Sequence, residues 1–128
     1  MNYASWDLST AAAKISKGLP LRILTDIQKR LELSNTELAE AISIPVRTLA
    51  RRRNEKRLSP TESERAWRIA RLIDRAAEVL GGEEKARKWM KGPNYALGNV
   101  SPIEMAKTEP GTEIVEQLLG QIEHGIPV

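Results

Sequence analysis

A chain of 128 residues suffices for one domain or two very small ones. The lack of cysteine excludes a disulfide frame, a thiolate metal site and a cysteine nucleophile, and fits a reducing cytoplasm. Net charge is only +3, from 20 basic and 17 acidic residues, so any nucleic-acid surface has to come from local clustering. No apolar run approaches the ~18 residues that span a membrane, and Met1–Ile15 lacks the basic-then-apolar order of a signal peptide.

Met1 to Ser9 shows no periodicity and reads as a loose or docking arm, with Tyr3, Trp6 and Leu8 available to pack on the body or on another subunit. Thr10 to Lys17 reads as a short helix ended by Gly18, with Pro20 beyond it. Leu21 to Leu33 is amphipathic, with Ile23, Leu24, Ile27 and Leu31 on one face.

Ser34 and Glu37 form a capping box, so a helix starts at Asn35 or Thr36. It stops near Ile42, because Pro45 disfavours helical geometry at Ile44. Pro45 suits the first turn of the next helix, where its missing amide hydrogen costs nothing. Ser43 stands where glycine is commoner. The second helix is anchored inward by Leu49, helped by Val46 and the aliphatic stem of Arg52 or Arg53, while Arg47, Thr48 and Arg51 lie on the other side.

Two short helices joined by a tight turn, the second arginine-rich, are what a helix-turn-helix needs to place a helix in the DNA major groove. Arg47 and Arg51 can bond guanine O6 and N7, and Thr48 lies beside them. Arg53, Lys56 and Arg57, together with Arg52, are placed for phosphates, unless the stem of Arg52 packs inward. An isolated arginine run more often only complements a helix dipole. Here it ends the second helix of a matched pair, which favours DNA.

Ser59-Pro60-Thr61-Glu62 is a second capping box, opening a long helix to about Leu80 that Gly81-Gly82 closes. The domain boundary is expected within it, with a helix-turn-helix domain and N-terminal arm over 1–68 and a second helical domain over 69–128. Glu83 to Met90 is a short helix carrying Trp89, read as a core filler. A third capping box at Ser101–Glu104 opens a small helix that ends around Lys107, before a Glu109-Pro110-Gly111 break. The last helix runs from about Thr112 to Glu123. No strand signal competes, so the expected fold is all-α.

The order of motifs resembles the Xre/MbcA/ParS antitoxins that partner RES-domain toxins. The matching pieces are Gly18–Pro20, TELAEAISIPVRTLARRR, RLSPTESERAWRIARL, Trp89, Asn94-x-x-Leu97-Gly98, the Ser101-Pro102 helix start, Gly111 and Ile122-x-His124-Gly125. They span nearly the whole chain after Ile15. The resemblance implies a bacterial type II antitoxin with an N-terminal DNA-binding domain and a C-terminal toxin-binding domain, usually dimeric. It implies that the chain covers the active site of a NAD-consuming RES toxin and represses its own operon through operator DNA. It also places the C-terminal end at the toxin's cleft, here Gly125, Ile126, Pro127 and Val128.

Tyr95 and Leu97 sit in a loop and suit either the core or a toxin contact. His124 has no partner for a metal site and either caps a helix or touches a partner. On its own the tail is a fraying terminus; the resemblance makes it an apolar plug whose ordering cost proline reduces. No residue set offers a nucleophile with a neighbouring base, so no enzyme activity, cofactor or metal is expected. The competing reading is a stand-alone dimeric helix-turn-helix repressor without a toxin partner. A further one is an adaptor whose helix-turn-helix serves protein contacts.

Overall fold

Local capping chemistry sets where the helices begin. Asp7, Ser34, Ser59, Ser101 and Thr108 each accept a hydrogen bond from a backbone N–H in the first turn that follows. In the computed structural model, which describes residues 2–126, the helices are α1 (Leu8–Lys17), α2 (Arg22–Leu31), α3 (Asn35–Ala41), α4 (Val46–Glu55), α5 (Pro60–Leu80), α6 (Glu83–Lys91), α7 (Pro102–Met105) and α8 (Glu109–Glu123). Short 3-10 turns at Tyr3–Ser5 and Tyr95–Leu97 complete them. The fold is all-α, and among the described residues β-pairing is confined to isolated bridges, Pro20 with Arg57 and Asn94 with Val100.

The capping boxes at Ser34 and Ser59 close in both directions. At Ser101 only half of the box forms. Its hydroxyl accepts from Glu104 N–H at 3.2 Å, but the Glu104 carboxylate turns to Lys107 at 2.8 Å. The last helix begins earlier than expected. Thr108 caps it, so Glu109-Pro110-Gly111 forms its first turn and not a break; proline is tolerated there because its missing donor would be unused. Pro45 is likewise one position further out than expected, as the N-cap of α4.

The N-terminal arm docks on the body. The Tyr3 and Ala4 N–H groups donate to Asp74 Oδ2 at 2.6 and 3.0 Å, and Trp67 Nε1 donates to the Tyr3 carbonyl. Tyr3 is buried, whereas Leu8 is 79% exposed and takes no part in this packing.

One core runs through both halves. Leu24, Ile27, Leu31, Leu38, Ile42 and Leu49 join Ile69, Leu72 and Ile73 of α5, which join Met90, Val115 and Leu119 beyond. Trp89 packs at the margin of this core. The expected boundary near Ile69 therefore falls inside a buried helix that both halves share. Two halves of about sixty residues would each be marginal alone; pooling one central helix relieves that. Polar ties cross the same seam: Arg30 reaches Asp74 at 2.6 Å and Glu83 at 2.9 Å, and Arg87 reaches Glu32 at 3.3 Å.

The turn between α3 and α4 is a Schellman closure. Ile44 N–H donates to Ala39 O at 3.0 Å and Ser43 N–H to Glu40 O at 3.1 Å, which holds Ser43 at φ +57°. A side chain is strained in that left-handed region and glycine is not. Ser43→Gly is accordingly expected to raise stability by about 0.5–1 kcal/mol, read from the urea midpoint. An unchanged or lower midpoint would show that the turn tolerates Ser43 without strain.

Candidate nucleic-acid interface and C-terminal face

Helix α4 is seated by Leu49, which is fully buried, and by half-buried Ile44 ahead of it; Val46, expected to help that anchor, instead points outward and is 47% exposed, because it opens the helix one position off the buried face. This seating decides which arginines are free. Arg47 is exposed and makes no hydrogen bond or ion pair among the described residues. Arg51 is exposed, with Glu55 at 3.5 Å one turn on. Thr48 is half-buried between the outer and inner faces. Lys56 closes the helix at φ +64° and is exposed.

The other three cations expected at DNA have partners inside the molecule. Arg52 donates through Nε and Nη2 to the two carboxylate oxygens of Glu62, at 2.7 and 3.1 Å, and through Nη1 to Glu55 at 3.0 Å. Its fork is thus filled, and it braces α4 on the start of α5 where a free phosphate contact was expected. Arg53 Nη2 donates to Gln28 and Asn35 side chains at 3.0 and 2.9 Å. Arg57 donates to the Gly18 carbonyl, beside the bridge to Pro20. Sequence spacing separated Arg47 and Arg51 from the rest but could not see these partners, because Gln28, Glu62 and Gly18 come from other elements.

Glu62 shows how the brace titrates. Burial alone would raise its pKa, but the Arg52 guanidinium and the Ser59 N–H outweigh burial and hold it below its ordinary 4.5. Arg30 likewise lowers Glu83. A group depressed in the folded state contributes stability that is complete above its unfolded pKa and lost as pH falls through its folded one. Stability is therefore expected to drop as pH falls below about 4.5, with the unfolded chain binding more protons there. Urea midpoints between pH 3 and 7 check this, and Glu62→Gln should flatten part of the slope. An unchanged slope in that variant would rule out the brace as a contributor.

The C-terminal half presents a different surface. Tyr95 is 89% exposed at the tip of its 3-10 turn, whereas Leu97, read as either core or contact, is buried beneath it. Gly98 at φ +69° and Asn99 at φ +67° turn the loop back, and Asn99 N–H donates to Asn94 O at 2.8 Å. Helix α8 is tied to α5 by Arg71–Glu116 at 3.0 Å and Arg75–Glu123 at 3.1 Å. It ends in another Schellman closure: His124 is the C-cap, Gly125 sits at φ +69°, and Ile126 N–H donates to Gln121 O at 2.9 Å. The His124 backbone thus caps the helix while its side chain stays exposed, and Ile126 is exposed too. Pro127 and Val128, the rest of the expected plug, lie outside the described residues. Among the described residues no helix is long and apolar enough to cross a membrane.

A helix-turn-helix unit and a small helical unit that share α5 define a helix-turn-helix protein with an appended helical domain. Residues 10–71 match the antitoxin Xre-like helix-turn-helix domain, and residues 75–125 match the antitoxin Xre/MbcA/ParS C-terminal toxin-binding domain. The chain is 37% identical over 114 residues to an Antitoxin Xre of Yersinia enterocolitica, covering 88% of this chain and 77% of that protein. It is 36% identical over 116 residues to an Antitoxin Xre of Photorhabdus laumondii, covering 89% and 78%. A protein of Sphingobium named Prs ADP-ribosylating antitoxin is 27% identical over 121 residues, covering 87% and 76%. The chain belongs to the Xre family of antitoxins.

Proposed function

We propose that this antitoxin binds and inhibits a NAD-consuming RES-domain toxin by covering its active site, and that as a cytoplasmic homodimer it represses its own operon through α4. The observation that carries the first part is the match of residues 75–125 to a toxin-binding domain, whose final helix α8 closes at His124 with Ile126 exposed beyond it. The Sphingobium relative's name supports a NAD-linked partner, since ADP-ribosylation draws its ADP-ribose from NAD. The second part rests on Arg47, exposed and without a partner among the described residues, beside Arg51 on the outer side of α4.

Co-expression with the cognate RES toxin tests the first part, with growth and cellular NAD as readouts. The full chain is expected to restore both, and a chain lacking residues 124–128 to restore neither. Failure of the full chain to protect would defeat the neutralisation reading. Protection by the truncated chain would defeat only the plug.

A further inference from the structure

The outward stripe of α4 holds residues that folding does not explain. Val46, Arg47, Ala50, Arg51 and Asn54 are all exposed and recur at i, i+1, i+4, i+5 and i+8, which is one helix face. Val46 is the odd member. It is β-branched, occupies the first helical position, is 47% exposed and lies outside the core and the residues packed against it. An acidic residue would serve that end of the helix better, and the first turn of α4 has none.

We infer that Val46 is a specificity-determining residue that reads the C5-methyl group of a thymine in the major groove, beside a guanine read by Arg47. The inference rests on the DNA-binding reading above. The first residues of a recognition helix are the ones that reach base edges. The apolar group displayed on those edges is the thymine methyl. Val46 offers methyl groups to it, and Ala50 one turn later extends the same apolar strip. Arg47 is unencumbered, whereas Arg51 is shared with Glu55, which makes Arg47 the stronger guanine reader. The acidic residue nearest the stripe, Glu55, is engaged by Arg51 and Arg52 and so is not offered to cytosine N4. The preferred half-site therefore pairs a thymine with a guanine within about two base pairs, the reach of neighbouring recognition-helix residues.

The test is selection of duplexes from a randomised pool by the full chain, followed by remaking the winner with deoxyuridine at each thymine in turn. One thymine near the Arg47-dependent guanine should lose about fourfold in affinity as deoxyuridine, the worth of one buried methyl. In Val46→Ala that thymine-to-uracil ratio should fall to about one, with an unchanged melting temperature because Val46 is exposed. Enrichment without a methyl-sensitive thymine, or a ratio that survives Val46→Ala, overturns the inference and leaves DNA binding standing. No enrichment of any sequence overturns both.

Discussion

Gly111→Ala is expected to destabilise the protein by about 3 kcal/mol or more, lowering the melting temperature by roughly 10 °C in a scan of the purified chain. Gly111 is buried in the first turn of α8, where α7 crosses it. A Cβ added there would fall inside the contact distance of the Met105 carbonyl oxygen and lie 2.9 Å from the carbonyl carbon. Backbone is in the way, so no rotamer change relieves the clash. The same crossing is pinned by Thr112, whose hydroxyl faces the carbonyls of Ala106 and Thr108 at 3.1 and 2.9 Å. Moving α7 off to make room would break that contact as well. Gly120 in the same helix supplies the contrast: a Cβ there meets nothing within 4 Å. Gly120→Ala should stabilise by about 0.5–1 kcal/mol, since alanine loses less backbone entropy in a helix. If both substitutions moved the melting temperature alike, the close approach at Gly111 would not be steric.

The double substitution Arg47→Ala and Arg51→Ala is expected to weaken operator binding by about a hundredfold or more, given ~1–3 kcal/mol for each bidentate arginine–guanine pair. Both side chains are exposed, so the melting temperature should stay within the change of ~0.5 kcal/mol usual for surface sites. Arg52→Ala should behave oppositely. It would leave the buried Glu62 carboxylate without its partner and lower stability, with operator affinity falling through the loss of a seated α4. Lys56→Ala should leave sequence preference intact and reduce the salt dependence of binding by about one phosphate. Gel-shift titrations at several salt concentrations, each paired with a thermal melt, separate these outcomes. A double variant that retains operator affinity would remove α4 as the reading helix.

Much of the architecture could be read from local chemistry. The Ser34–Glu37 and Ser59–Glu62 pairs located two helix starts because a capping box needs only residues three apart. Gly81 closed the long helix for the same local reason. At Glu109-Pro110-Gly111 the local signal misleads, because proline and glycine look like a break. There Thr108 reaches forward to the Gly111 N–H at 3.1 Å and makes them a first turn. Spacing set Arg47 and Arg51 apart from the other cations, but the partners of Arg52, Arg53 and Arg57 were not legible, since Glu62, Gln28 and Gly18 come from other elements. Arg53 turns to Gln28, and Arg57 to Gly18, across separations that spacing rules do not cover. Leu97 could not be separated from Tyr95 either, because a loop gives no period from which to tell the inward residue from the outward one.

By itself the sequence determined the all-α class, the helix-turn-helix pair and the order of motifs that marks an antitoxin. The first two rest on interactions within one turn or one helix face, so neighbouring residues suffice; the third rests on the resemblance to a family. Only the tertiary structure decided that the two halves share α5 and a single core, and that the basic run from Arg47 to Arg57 is split between a free outer face and internal braces. Burial and pairing are set by what packs against a residue, and that partner lies tens of positions away along the chain.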